Sequence, residues 1–293
     1  MIIVTLQGGL GNQMFQYACG KSAALQRNSY FRLDTRTLQK VNIDEHFTNR
    51  FFELNIFDAK ISEASDKEFN RFFAKSILLK IWYKWLRGYN HYTEQTFFFD
   101  VALNLQRRSL FLLGYWQTEK YFIAYENDIR KDFIFSTPKN NDTLLYEKEI
   151  LLCNAVSIHI RRGDYITSST ANSFHGVINL DYYEVAMQKI EKLVENPIYY
   201  LFSDDPAWAK VHIVKNRKDI VIIKHNIGKD NWQDMYLMSK CKHNIIANSS
   251  FSWWGAWLNE NINKIVIAPK KWFANNEQNN QTQDLIPESW IKL

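Results

Sequence analysis

Two arginines stand side by side in HIRRGDY (159–165), directly after the apolar run AVSI. A guanidinium keeps its charge at any physiological pH and can grip a phosphate through two parallel N–H donors. In an extended strand Ser157, His159 and Arg161 share one face while Val156, Ile158 and Ile160 share the other. His159 and Arg161 are therefore expected to point together, with Gly163 turning the chain. Such a cluster suits an anionic group such as a diphosphate. The alternative is a purely structural network in which Arg161 and Arg162 pair with Asp164 or other carboxylates, although two arginines beside one acid leave positive charge over.

Three other stretches carry side chains of comparable use. QGGLGNQ (7–13) places three glycines where a strand meets a helix, so that Gly9 and Gly11 allow a ligand to approach the backbone closely. Asn12 and Gln13 add donors and acceptors suited to sugar hydroxyls. The stretch is not the GxGxxG of a dinucleotide site, because Met14 occupies the third glycine position. In FSDDP (202–206) Asp205 before Pro206 reads as a helix cap, leaving Asp204 for a ribose or a base edge. In NSSFSWWGAW (248–257) the residues Asn248, Ser249 and Ser250 open a helix whose exposed amides favour an anion. Trp253, Trp254 and Trp257 on that helix read as core.

The elements that must hold these residues are legible from periodicity. In the second half, strands at 155–160, 198–203, 219–224, 243–248 and 264–268 are separated by single helices, at 181–196, from Pro206, at 231–241 and at 250–261. Asp181 with Glu184 resembles a capping box for the first of these. The first half opens likewise, with a strand at 2–7, a helix at 12–27 and a strand at 30–34. A further strand at 109–117 precedes a helix near 119–133. Alternation of this kind predicts βαβ units and parallel sheets. The polar break FSTPKNNDT (135–143) divides two α/β domains, 1–140 and 141–293, that would face one another across a cleft. The segment AKSILLKIWYKWLRGY (74–89) reads as a core helix with a solvated Lys80, Lys84 and Arg87 stripe. A helix resting on a membrane surface is the alternative.

Composition narrows the classes. With 293 residues, 46% apolar and 23% charged, the chain is globular. The net charge of +5 is spread without a dense basic tract, which argues against nucleic acid as a partner. Cys19, Cys153 and Cys241 lack metal or disulfide spacing and fit a reducing compartment. No signal peptide and no transmembrane run is evident. His91, His212 and His225 are isolated.

Taken in order, GGLGNQMFQYA, HIRRGDY, FSDD and NSSFSWWGAWLN resemble the bacterial α-1,2-fucosyltransferases of glycosyltransferase family 11. The closing LIPESWIKL and the FHGV…LDYY segment (174–183) are similar too. The resemblance implies a GT-B fold of two Rossmann-like domains. The first would bind a galactose-containing acceptor, lipid-linked in one version, and the second GDP-fucose, with the last residues packing back on the first. It implies an inverting transfer to a 2-hydroxyl without metal or cofactor, in a bacterial cytoplasm, with at most peripheral membrane contact. Arg161 would bind the donor diphosphate, with His159, Arg162 and Asp164 beside it. Asp234 and Ser250 fall at nucleotide contacts, Asn12 near the reacting sugar, and His175 on the acceptor side. Arg161, Asn12 and Asp164 are the expected catalytic residues. Rival readings are a transferase for another nucleotide sugar and a glycan-binding module without catalysis.

Overall fold

The computed structural model describes residues 1–39, 50–106, 109–163 and 176–293. Asp164 and His175 lie outside the described residues. The chain divides into two compact units, one of Met1–Ser136 with Gln283–Leu285, the other of Thr137–Thr282 with Ile286–Leu293. The boundary falls inside the polar break at 135–143. Of the chain's end only Gln283–Leu285 joins the first unit, where Asp284 accepts hydrogen bonds from Phe99 N and Lys120 Nζ. The final residues close the sheet of the second unit instead.

The first unit contains β1 (Ile2–Thr5), α1 (Leu10–Gln26), β2 (Phe31–Asp34), α2 (Asp66–Phe72), α3 (Ile77–Ile81), β3 (Tyr89–Thr93), β4 (Ser109–Leu113) and α4 (Glu126–Asp132). Its four strands are parallel in the order β2-β1-β4-β3. β1 is fully buried, as suits a central parallel strand, with the apolar run IIV followed by a buried Thr5. Strand β3 was hidden in YNHYT, whose Asn, His and Thr dilute the apolar pattern at a sheet edge. β4 stops at Leu113, four residues short of the expected strand, and the chain turns at Gly114. The expected helix at 119–133 is two short 3₁₀ turns followed by α4.

The segment 74–89 departs most from expectation. It forms α3 and a wider turn over Trp82–Leu86, and neither contains a buried residue. Apolar composition alone did not reveal that this segment stays exposed.

The second unit contains α5 (Asn141–Leu152), β5 (Asn154–Ile160), α6 (Leu180–Leu193), β6 (Pro197–Ser203), α7 (Pro206–Ala209), β7 (Ile220–Ile223), α8 (Trp232–Lys240), β8 (His243–Ile245), α9 (Ser250–Leu258), β9 (Val266–Ala268), α10 (Asn276–Asn279) and β10 (Ile291–Lys292). The six strands are parallel in the order β10-β9-β8-β5-β6-β7. Counted from β5, this is the 3-2-1-4-5-6 order of the doubly wound nucleotide-binding sheets. Val156, Ile158 and Ile160 pack beneath Tyr183, Ala186 and Ile190 of α6. On the opposite face Ala155, Tyr200 and Phe202 meet Ile150, Leu237 and Met238. The strand alternation read from HIRRGDY is therefore realised. Trp253, Trp254 and Trp257 are buried, Trp253 lying 5.4 Å from the ring of Trp290. Helix α6 is entered through Asn179, whose side chain donates to Asp181, and not through an Asp181 capping box.

Helix α1 lies so close to its sheet that a Cβ on Gly20 would sit 2.5 Å from Phe31 Cε2 and 3.0 Å from Val4 Cγ1. Alanine gains about 1 kcal/mol of helix propensity over glycine, but overpacking of this kind costs about 1–3 kcal/mol. Gly20→Ala should therefore lower the stability of the first unit by on the order of 1–2 kcal/mol in urea unfolding.

Candidate active site

In a parallel sheet the ligand crevice opens beyond the carboxyl ends of the strands where strand order reverses. In the second unit that point lies between β5 and β8, which pair from Val156–His243 to Ile158–Ile245. The loop leaving β5 carries Arg161, Arg162 and Gly163, and the chain leaving β8 runs through Asn248 and Ser249 into α9. Sequence-predicted residues thus meet there from two loops.

The arginine loop is locked to the end of β6. Arg161 Nη1 stands 3.0 Å from Asp204 Oδ2, and Asp204 Oδ1 accepts from the Arg162 backbone N–H at 2.8 Å. Asp204 is thus engaged by the loop, where the sequence left it available for a ribose or base edge. A Cβ on Gly163 would fall 2.9 Å from Asp204 Oδ2, which explains a glycine at that close approach. Arg162 stacks on Trp208, its guanidinium carbon 3.7 Å from the ring centre, and its Nε lies 3.5 Å from Asp205 Oδ2. Asp205 caps α7 through a bond from Trp208 N, with Pro206 at the first helical position, as expected. The two arginines therefore differ in use. Arg162 is committed to Trp208 and Asp205, while the Arg161 side chain keeps about a quarter of its surface open, at 27%.

His159 is buried on the face opposite α6, with its ring 5.8 Å from Phe251 at the start of α9. Burial, and secondarily the charge of Arg161, lower its pKa to about 3, so the imidazole is neutral at pH 7. Its Nδ1 has no hydrogen-bond partner among the described residues. The Ser249 hydroxyl caps α9 by accepting from Phe251 N, and no acidic residue occupies the first turn. The positive end of the helix dipole is thus left uncompensated by its own sequence. Asn248 has a different duty from the anion contact expected of it. Buried, it donates to the carbonyls of Gly176 and Trp272 and pins the chain that enters the helix.

Asp234, on α8, makes no described contact with the arginine loop. It accepts from Asn226 Nδ2 at 2.8 Å, and Asn226 Oδ1 accepts in turn from the Thr143 hydroxyl, which lies 2.9 Å from His225 Nε2. Burial raises the Asp234 pKa to about 7 against the favourable bond from Asn226.

In the first unit β1 and β4 are neighbours, paired from Ile2–Leu110 to Val4–Leu112, so the segments that follow them lie side by side. Gly8 has φ +77°, a left-handed conformation, and a Cβ there would strike the Asn12 amide. Asn12 Oδ1 accepts from Gln117 Nε2 at 2.8 Å, joining the loop after β1 to the loop after β4. Gln13 does not present itself to a ligand as expected. It is buried, its Nε2 donates to Gly8 O and Phe51 O, and its Oε1 accepts from Glu53 N. It clamps the aromatic segment onto the glycine loop. Gly11 is buried in the first turn of α1, whereas Gly9 is partly open, with Glu53 and Arg50 beside it.

Two residues that sequence reasoning missed stand at this edge, Gln117 and Glu94. The Glu94 carboxylate accepts from Tyr115 N at 2.7 Å and from Trp116 N at 3.0 Å. Burial lifts its pKa to about 7 although both bonds oppose the rise. Trp116 is fully buried with φ +58°, a strained position for a large side chain. Glu94 follows the unrecognised β3, and Gln117 was read as strand, so neither gave a signal in the sequence.

Two α/β units, each with a parallel sheet and one of them in the nucleotide-binding strand order, are the architecture of the GT-B fold. The description of glycosyl transferase family 11 matches residues 4–293, and the chain belongs to that family. It is 35% identical to an Escherichia coli alpha-1,2-colitosyltransferase, over all of this chain and 99% of that protein. It is 37% identical to the O-antigen biosynthesis glycosyltransferase WbnK of E. coli, over 98% and 99% of the two chains. A galactoside 2-alpha-L-fucosyltransferase of Caenorhabditis elegans is 24% identical, over all of this chain and 79% of its own. Among solved structures, an Arabidopsis thaliana FUT1 mutant in complex with GDP superposes with a TM-score of 0.50 at 11% identity, covering 99% of this chain and 75% of that one.

Because Asp204 holds both the Arg161 side chain and the Arg162 amide, Asp204→Ala should loosen the loop. The expected result is an increase in the KM for the sugar donor on the order of tenfold, the worth of a hydrogen bond to a charged group. The acceptor KM should stay unchanged, as initial-rate kinetics would show.

Proposed function

We propose that this protein transfers L-fucose from GDP-fucose to the 2-hydroxyl of a β-galactoside, with inversion at the anomeric carbon and without a metal ion. The observation that carries the reading is Arg161 at the switch point of the second unit, in the loop after β5, the strand next to the one that leads into α9. The second unit would hold the nucleotide and the first the acceptor. As the bond from C1 to the phosphate oxygen breaks, its electron pair passes to the diphosphate. The Arg161 guanidinium and the amide end of α9 meet that charge, and the acceptor oxygen bonds to C1 from the other side. The neutral His159 would orient by hydrogen bonding and supply no charge. Asp164, outside the described residues, remains an expected neighbour of the donor.

Arg161→Ala should retain its circular dichroism spectrum and lose transfer by on the order of 100- to 1000-fold. Arg161→Lys should recover only part, since a point charge lacks the paired geometry. The direct test of the reading is incubation with GDP-fucose and a panel of galactosides in EDTA, with linkage analysis of the product. An α-1,2-fucosyl product is expected. Loss of product in EDTA would overturn metal independence, and glycan binding without turnover would make this a binding module. The likeness to a colitosyltransferase favours one second reading, in which the donor sugar lacks the 3-hydroxyl of fucose. Faster turnover of the 3-deoxy donor would decide for it.

Within this reading the acceptor hydroxyl delivers its proton to Glu94, whose pKa near 7 suits a general base at neutral pH. A base must be ionised, so turnover should rise with pH through about 7. Glu94→Gln should remove that inflection and lower turnover by about 100-fold or more. A lowered melting temperature with the inflection intact would instead assign Glu94 to holding the turn at Trp116.

A further inference from the structure

The segment that the fold leaves uncovered has a consistent chemistry. Across ten residues Ile77, Leu78, Leu79, Ile81, Trp82, Trp85 and Leu86 are all exposed, Leu78 at 78% and Leu86 at 74%. An apolar patch of this density on a water-soluble surface marks an interaction site. Its setting is cationic. Between Phe69 and Thr93 the chain has Arg71, Lys75, Lys80, Lys84 and Arg87 and no Asp or Glu. The segment is fastened to the first unit by Tyr83, whose ring meets Tyr89 of β3 at 5.4 Å, so the patch is presented on a packed base. Arg87 lies over the Trp82 ring at 5.5 Å, keeping a charge beside the apolar surface.

We propose that this face docks the enzyme on an anionic lipid bilayer. Leu, Ile and Trp would enter the boundary between headgroups and acyl chains, with Lys and Arg on the phosphates. Each cation near such a surface contributes about 1 kcal/mol. A second copy of the chain fits poorly, because a twofold contact through this patch would set five cations against five of the same sign. A spanning role is also excluded for the segment, since among the described residues no helix is long and apolar enough to cross a membrane. The inference rests on the patch alone and holds whichever sugar the enzyme transfers.

The experiment is co-sedimentation of the full chain with vesicles of phosphatidylcholine, with and without phosphatidylglycerol. Binding should require phosphatidylglycerol and weaken as salt is raised. Lys75→Glu with Lys80→Glu, and separately Leu78→Ser with Leu86→Ser, should each weaken binding by more than about tenfold while melting temperature stays unchanged. Equal sedimentation of wild type and both variants, or none with phosphatidylglycerol vesicles, would overturn the proposal. So would a dimer in sedimentation velocity that the Leu78→Ser, Leu86→Ser variant dissolves.

Discussion

Parallel strands deliver every loop that leaves a strand for a helix to one edge of their sheet, and most of that edge is closed by helices running back. The exception is the place where strand order reverses, because the two flanking helices leave toward opposite faces and open a crevice between them. The second unit has one such place, β5 against β8, while in the first unit the neighbours β1, β4 and β3 bring their following segments to one edge. The residues with chemical capacity gather there. In the first unit that edge collects Asn12, Gln117 and Glu94; in the second the crevice collects His159, Arg161 and the start of α9. The sheet cores exist in large part to aim these loops. Val156, Ile158 and Ile160 bury one face of β5, and that burial fixes the register that carries His159 to the other.

Magnitudes decide how the arginine cluster should be read. A partly exposed ion pair such as Arg161–Asp204 is worth roughly 0–1 kcal/mol, whereas a fixed donor at a developing oxyanion is worth roughly 3–4 kcal/mol. Pairing in the unliganded protein therefore does not disqualify Arg161. It holds the guanidinium in a limited range of positions at little cost, and a diphosphate can outcompete or share it. Arg162 is in a different regime. A cation over a tryptophan ring, paired as well with a helix-capping carboxylate, loses two partners if it turns toward a ligand. The structural reading of HIRRGDY thus holds for Arg162, and the ligand-binding reading is the one proposed for Arg161.

What could be read from the sequence follows from range. Strands β5 and β6 announce themselves as apolar runs, and the residues expected at their ends are local to those runs. The Asp205 cap with Pro206 is local as well, and it was legible. Partnerships between loops far apart in the chain were not. Nothing in GNQ says that Asn12 meets Gln117 while Gln13 turns inward to grip Phe51 and Glu53, since both amides are equally suited to sugars. Segment 74–89 failed for a related reason. Its composition is that of a buried helix, and burial depends on whether another element arrives to cover it.

Glu94 joins a strained turn of the backbone to a carboxylate of shifted titration. Trp116 occupies a left-handed backbone position that costs on the order of 1–3 kcal/mol, and the two amides that Glu94 accepts from belong to that turn. Burying the carboxylate raises its pKa, so its charged form destabilises the fold as pH rises from the ordinary carboxylate range through about 7. A purely structural staple would be selected for low pKa, as backbone amide bonds ordinarily give. Desolvation has instead overridden two such bonds. That combination leaves a carboxylate that titrates near neutrality at a position held by main-chain amides, which have no rotamer to change.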